Sequence, residues 1–244
     1  MNDRAAHSQP HKPPGGWIMH MRWSKLLFMH WPVPIESLRP LIPPGLEIDR
    51  FEGQAWLGIV PFLMSNVRPR FVPPMPGFSA FPELNVRTYV THNAKPGVWF
   101  FSLDAASKLA VRGARRLWHL PYFDARMSMQ IHEGQIAYRS TRTHKNSNPA
   151  CLTMKYRPTG PVSFTTPGTL DHFLTNRLNL YSADRAGHIY RGQIHHAPWP
   201  LQAAEAQIET NHMTGQIDVR LPDIPPLLHY AERLDVVGWR IQRA

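Results

Sequence analysis

The sequence predicts a mainly β protein: one closed, largely antiparallel β structure interrupted by two or three short helices. Three observations carry this. Apolar residues recur in many short runs, several with the alternation of a strand that has one face covered. Prolines are numerous, 25 of 244 residues, and many sit between those runs, which favours short strands and turns over long helices. No internal repeat and no interdomain linker is visible. Residues 17–244 are therefore expected to form a single domain, behind a polar tail, 1–16, that ends in Pro-Pro-Gly-Gly and is expected to be disordered.

The first strand is expected at 23–30, where Leu26, Phe28 and His30 alternate with Lys25, Leu27 and Met29. A short helix follows within 34–41 and stops at Pro43-Pro44-Gly45. Leu46, Ile48 and Phe51 open a hairpin that turns at Glu52-Gly53. Its return, 54–64, is almost continuously apolar, the pattern of a strand covered on both faces. Pro61 inside that run implies an edge or a bulge. A proline-rich loop spans 67–82, a length often tied to function. Strands follow at 83–91 and 98–103; in the first, Leu84, Val86 and Thr88 oppose Asn85, Arg87 and Tyr89.

Residues 102–129 organise the middle of the chain. They read as a helix, a tight exit and a strand. Asp104 is placed to cap the helix. Ala106, Leu109, Ala110, Gly113 and Leu117 share one helical face, and Lys108, Arg112, Arg115 and Arg116 line the rest. Pro121 ends the helix, and a period of two begins at Tyr122. Phe123, Ala125, Met127, Met129 and Ile131 then face one way; Tyr122, Asp124, Arg126, Ser128 and Gln130 face the other. That second face is either solvent-exposed or the wall of a polar cavity.

Beyond it a hairpin turns at Glu133-Gly134 and returns over 136–143, and 145–149 is a polar turn. A strand is expected at 152–157 and a helix at 170–178, capped by Thr169. Strands at 189–195, 216–221 and 236–242 complete the sheet, while 201–208 fits either helix or strand.

Composition excludes several classes. The net charge of +10, from 27 Lys and Arg against 17 Asp and Glu, is dispersed, with no run of five basic residues. No zinc-finger, helix-turn-helix or single-strand-binding signature accompanies it, so nucleic acid is not the expected partner. No apolar run approaches the roughly 20 residues that span a bilayer, so no membrane partner is expected. The start of the chain has no signal-peptide pattern, and the single cysteine, Cys151, fits a reducing compartment; the expectation is a cytoplasmic protein. Fourteen histidines raise the question of a metal, but His195 and His196 are adjacent and would point to opposite faces of a strand. His188, His212 and His229 are scattered, and no HExxH or Cys/His cluster exists, so neither metal nor cofactor is expected. No nucleophile-elbow motif supports a Ser-His-Asp site.

Five segments, LLFMHWPVPIESLRPLIPPGLEID, FPELNVRTYV, GARRLWHLPYF, HHAPWPLQAAEA and PPLLHYAERLDVVGW, together resemble the uncharacterised bacterial YqjF-like family over roughly residues 20–242. The resemblance implies the acetoacetate decarboxylase-like fold, a cone-shaped antiparallel β-barrel with flanking helices. By the more distant comparison with the decarboxylases, Glu83 falls where they carry a pocket glutamate. GARRLWHLPYF resembles the segment whose first lysine forms a Schiff base with a keto acid, and here the two lysine positions are Tyr122 and Phe123. Arg116 holds the position of an acidic residue. No acid occurs near residues 56–58, where a second pocket glutamate would stand, and a pocket arginine falls at about Ser24, beside Arg22 and Lys25. A phenol or phenyl ring cannot condense with a ketone, and Lys108 lies four helical turns away from that point. Schiff-base decarboxylation is therefore not expected.

The candidate site consists of Glu83 and Tyr122 as acid/base groups. Arg87, four residues from Glu83 on the same strand face, joins Arg22, Asp124, Arg126 and His119 as ligand-binding candidates. Each has a structural alternative: Glu83 and Arg87 as a surface ion pair, Tyr122 as a rim residue, His119 as a cap at the helix exit. The expected function is binding of a small anionic or carbonyl-bearing molecule in a barrel pocket, with acid/base chemistry from Glu83. The alternatives are a non-catalytic ligand-binding or sensor module and, third, a nucleic-acid binder using the basic surface. A homo-oligomer is left open.

Overall fold

The computed structural model describes residues 12–74 and 80–244. Most of the 1–16 tail lies outside the described residues, as does the 75–79 part of the proline-rich segment. Strand β1 (Met19–Val33) and helix α1 (Ile35–Leu38) lead to β2 (Glu47–Ile48), β3 (Ala55–Pro69), β4 (Phe81–His92) and β5 (Lys95–Ala105). Helix α2 (Lys108–Trp118) is followed by β6 (Tyr122–His132), β7 (Gln135–Arg142) and β8 (Cys151–Pro158). Helix α3 (Leu170–Thr175) precedes β9 (Asn179–Ala183), β10 (Ile189–His196), β11 (Leu201–Gln202), β12 (Ala204–Asn211), β13 (Leu227–Gly238) and β14 (Gln242–Arg243).

Hydrogen bonding runs from β5 through β9, β10, β13, β1, β3 and β4 and back to β5, so these strands form a ring. Within it the β5–β9 contact is parallel and the rest are antiparallel. Strand β6 pairs with β5 only from Leu103↔Tyr122 to Ala105↔Asp124. It then diverges to join β7, β8 and β12 in an outer antiparallel sheet.

The outer sheet covers one side of β3 and β4. Leu57 and Ile59 of β3 and Leu84 and Val86 of β4 pack there with Ile136, Tyr138, Leu152 and Met154. The opposite side of the same strands faces the ring interior, where Val60, Phe62 and Met64 pack with Leu26, Phe28 and Trp199. Strand β3 is thus covered on both faces, as its apolar run implies. Pro61 falls where the β1–β3 register slips between Ser24↔Leu63 and Met29↔Ile59, with Lys25 at φ 51°. Pro61 thus sits where the ladder to β1 is already broken, while the β3–β4 register runs on through Pro61↔Leu84.

Several expectations are corrected. Asp104 is not a helix cap: it lies in β5, fully buried, with its carboxylate on the Arg142 guanidinium at 2.6 and 3.0 Å. The buried face of α2 is Val111, with Ala114 and Trp118 packed beside it, while Leu109 and Leu117 are exposed. Residues 111, 114 and 118 keep the i, i+3, i+7 spacing and point at the ring; residues 109 and 117 lie away from it. Segment 216–221 is not a strand, because a 3₁₀ turn at Gly215–Ile217 ends in Asp218 at φ 53°. Residues 201–208 are strand on either side of a break at Ala203, β13 begins well before 236, and β9 has no counterpart among the expected elements. Thr169 does cap α3, accepting from the His172 amide at 3.4 Å.

Candidate functional site

The ring encloses a cavity of about 100 Å³. A water needs roughly 10–15 Å³ on this measure, so the space suits a small organic molecule. Alternation along β4 sends Glu83, Asn85 and Arg87 into it, while Leu84 and Val86 enter the outer core. Because both faces of β4 are covered, its polar face is a cavity wall.

Glu83 is 2 % exposed, and each of its carboxyl oxygens lies 3.2 Å from the Tyr122 hydroxyl. Burial, aided by the charge of Asp104 and opposed by the Tyr122 hydrogen bond, pushes the Glu83 carboxyl up to about 8. Burial and the neighbouring Glu83 push the Tyr122 phenol up as well. At neutral pH both groups hold a proton. One O–H bonds the pair together, and the other is free to donate to a cavity occupant.

Arg87 donates from Nη2 to the Leu174 carbonyl at 3.2 Å and lies over the rings of Phe28 at 5.2 Å and Tyr89 at 5.7 Å. Its Nε is buried with no hydrogen-bond partner, and among the described residues no carboxylate pairs with it. The second cavity arginine differs: Arg177 is held by Asp49 at 2.5 Å and by the Phe173 carbonyl at 2.6 Å. His196 also lines the cavity. Its Nδ1 donates to the Ala197 carbonyl at 2.7 Å, and burial pushes the ring down to about 4, so Nε2 is an unprotonated acceptor. Beside it stand Trp23 and Trp199, whose indole N–H groups are buried with no hydrogen-bond partner among the described residues.

The structure brings Glu83, Arg87 and Tyr122 together and leaves the other four candidates outside. Arg22 pairs on the surface with Asp235 at 2.9 and 3.1 Å. Asp124 lies 3.3 Å from His144 and 3.6 Å from Arg112, in an outer groove that Arg126 also borders. His119, at φ 52° on the helix exit, packs its ring 4.9 Å from Tyr190 and borders surface grooves. The reason is the path of β6: once it diverges from β5 after Asp124, the face that began at Tyr122 no longer looks into the ring. None of the chain's six lysines lines the cavity. At the two lysine positions implied by the decarboxylase comparison, Tyr122 lines the cavity, and Phe123 lies under the Arg142 guanidinium at 4.1 Å. Lys108 borders the outer groove. The reading of the sequence missed Asn85, Arg177 and His196 as lining residues. Asn85 shares the alternation of Glu83 and Arg87 and was accessible from it; the other two carry no local signal.

Residues 20–235 match the DUF2071 family, described as uncharacterized conserved protein. The uncharacterized protein YqjF of Bacillus subtilis strain 168 is 45% identical over 243 residues, covering 100% of this chain and 99% of that protein. Among solved structures, the acetoacetate decarboxylase of Legionella pneumophila superposes with a TM-score of 0.57 at 13% identity, over 98% of this chain and 93% of that one. An acetoacetate decarboxylase-like enzyme from Sphingomonas wittichii RW1 gives 0.61 at 12% identity, over 94% of each chain. The enduracididine biosynthesis enzyme MppR, complexed with pyruvate, gives 0.61 at 10% identity, over 97% of this chain and 93% of that one. The shared fold is acetoacetate decarboxylase-like.

Proposed function

The chain belongs to the DUF2071 family of uncharacterized conserved proteins, and from that premise we propose that it takes a small organic acid into the ring cavity. The acid's carboxylate seats on Arg87, and a carbonyl or hydroxyl of the same molecule meets Glu83 and Tyr122. In this reading the ring is a closed, cone-shaped barrel and the chain is a single domain built around it.

One observation carries the proposal. Arg87 presents a buried Nε without a partner, while the nearest carboxyl on its own strand face is held neutral by burial. A guanidinium cannot shed its proton, so its charge is left for an occupant to balance. A keto acid has both groups the wall asks for, an anion and a carbonyl; pyruvate, the ligand in the MppR complex, is a member of that class. Glu83, with its pKa near the working pH, is suited to give a proton to a carbonyl oxygen or take one from the adjacent carbon. With no amine in the wall, the chemistry is acid/base and not covalent.

Calorimetry with pyruvate and acetoacetate tests the binding. Wild type should bind, and Arg87→Gln should bind about 10- to 100-fold more weakly. No binding of either acid, or binding indifferent to Arg87, refutes the proposal. Deuterium exchange at the carbon beside the carbonyl, followed by NMR, tests the chemistry. Exchange that disappears in Glu83→Gln supports an enzyme, and binding without exchange identifies a ligand-binding module.

A further inference from the structure

The cavity wall carries a second set of polar groups besides Glu83, Tyr122 and Arg87. Trp23 and Trp199 stack with their ring centroids 5.9 Å apart and their planes 18° from parallel. Phe28 meets Trp199 edge-on at 5.0 Å, Phe62 meets Trp23 edge-on at 5.9 Å, and His196 lies 5.1 Å from Trp199. All five side chains line the cavity. Such a wall favours a flat ring, because aromatic partners gain from offset and edge-to-face contact beyond the area they bury.

The indole nitrogens add a chemical requirement. Trp199 is 5 % exposed, and the N–H groups of Trp199 and Trp23 are buried with no hydrogen-bond partner among the described residues. An indole N–H only donates, and its direction is fixed by the ring, so it asks for an acceptor and nothing else. Asn85 Oδ1 is also buried and unpaired, and it accepts. A hydroxyl answers both kinds of atom, since it accepts and donates. The two ends of the cavity are close: the Arg87 guanidinium sits 5.2 Å from the Phe28 ring, and Phe28 sits 5.0 Å from Trp199.

We propose that the indole wall makes the site specific for arylalkanoic acids: a carboxylate on Arg87, a short aliphatic linker past Phe28, and a flat ring bearing a hydroxyl or carbonyl against Trp23 and Trp199. This rests on the organic-acid site proposed above and names the class of acid it takes. It also assigns Trp199 and Trp23 as the residues that read the ring substituent.

The test is calorimetry with four unreactive probes: propionate, 3-cyclohexylpropionate, 3-phenylpropionate and 3-(4-hydroxyphenyl)propionate. The phenyl acid should bind at least tenfold more tightly than propionate and more tightly than the cyclohexyl acid. The hydroxyl should add roughly tenfold more, the effect of pairing a buried donor. Trp199→Phe keeps a ring in place and removes the N–H; it should abolish the gain from the hydroxyl and keep the gain from the phenyl. If that variant melts early, Trp23→Phe carries the same test. Propionate that binds through Arg87 with no gain from the aromatic ring, or a hydroxyl gain that survives both tryptophan variants, overturns the aryl subsite and leaves the acid site standing. If none of the four acids binds, the acid site itself fails, and the subsite with it.

Discussion

Replacing Glu83 with glutamine should make the protein more stable at neutral and mildly alkaline pH, and the gain should grow with pH. In the unfolded chain the carboxyl titrates near 4.5; in the ring burial pushes it up to about 8. A group with a raised folded pKa contributes stability that is complete below its unfolded value and lost as pH climbs through the folded one. The gap corresponds to roughly 5 kcal/mol between the limits, of which about 3 kcal/mol falls between pH 5 and pH 8. For a chain of this length that is about 6–12 °C in Tm. The buried histidines slope the other way. His30 and His196 are pushed down by burial, so the stability they contribute is present above 6.5 and lost as pH falls. The raw pH curve of the wild type therefore mixes both signs, and the difference between wild type and Glu83→Gln isolates the carboxyl. Urea unfolding of the two proteins at pH 5, 6, 7 and 8, followed by tryptophan fluorescence, measures it. The variant should gain on the wild type by about 3 kcal/mol across that window. A difference that stays constant with pH would mean that Glu83 is ionised in the fold, and the reasoning about the cavity would fall.

Three further outcomes follow from the same geometry. Asp104→Asn leaves the Arg142 guanidinium buried without its carboxylate and should cost about 3–5 kcal/mol in urea unfolding, with Asp104→Asn/Arg142→Met recovering part of the loss. On α2, Val111→Ala should cost about 2 kcal/mol, whereas Leu117→Ala should stay within about 0.5 kcal/mol, because only Val111 reaches the ring. Borohydride reduction in the presence of acetoacetate should leave the intact mass unchanged; a reduced adduct on any lysine would contradict the absence of an amine from the cavity wall.

How much of this was legible depends on the range of the interaction. Alternation on β4 is local, so the sequence separates Glu83, Asn85 and Arg87 from Leu84 and Val86. It does not say which face is water, because a cavity wall and a solvent face are polar in the same rhythm. That is decided by the outer sheet, whose strands come 30 or more residues after β4 ends. Tyr122 and Asp124 show the same limit. They share a face by period, but β5 stops accompanying β6 at Asp124, and the end of a pairing leaves no mark in a period of two. Asp104 resembles a cap because a helix follows it; its partner Arg142 is 38 residues away. On α2 the two candidate faces both carry apolar residues, and the choice of Val111 and Trp118 over Leu109 and Leu117 is made by the ring. Trp199 sits between Pro198 and Pro200 with no periodicity to place it, and His196 lies one residue past the strand expected at 189–195.

The charge state of the wall follows from spacing. Glu83 and Arg87 are four residues apart on one extended strand, which sets their backbones about 13 Å from each other, with Asn85 between. They share the cavity face without meeting as an ion pair, so the low-dielectric interior acts on each alone. A carboxyl can answer burial by keeping its proton; a guanidinium cannot. The cavity is thereby left with a positive charge at one end and a proton donor at the other, and neither is satisfied by the wall itself. Moving the acid two residues along, as in Glu83→Gln/Asn85→Glu, would bring a carboxylate within reach of Arg87. That variant should bind small acids poorly while folding at least as well as the wild type, because the strand would then supply the anion that an occupant otherwise brings.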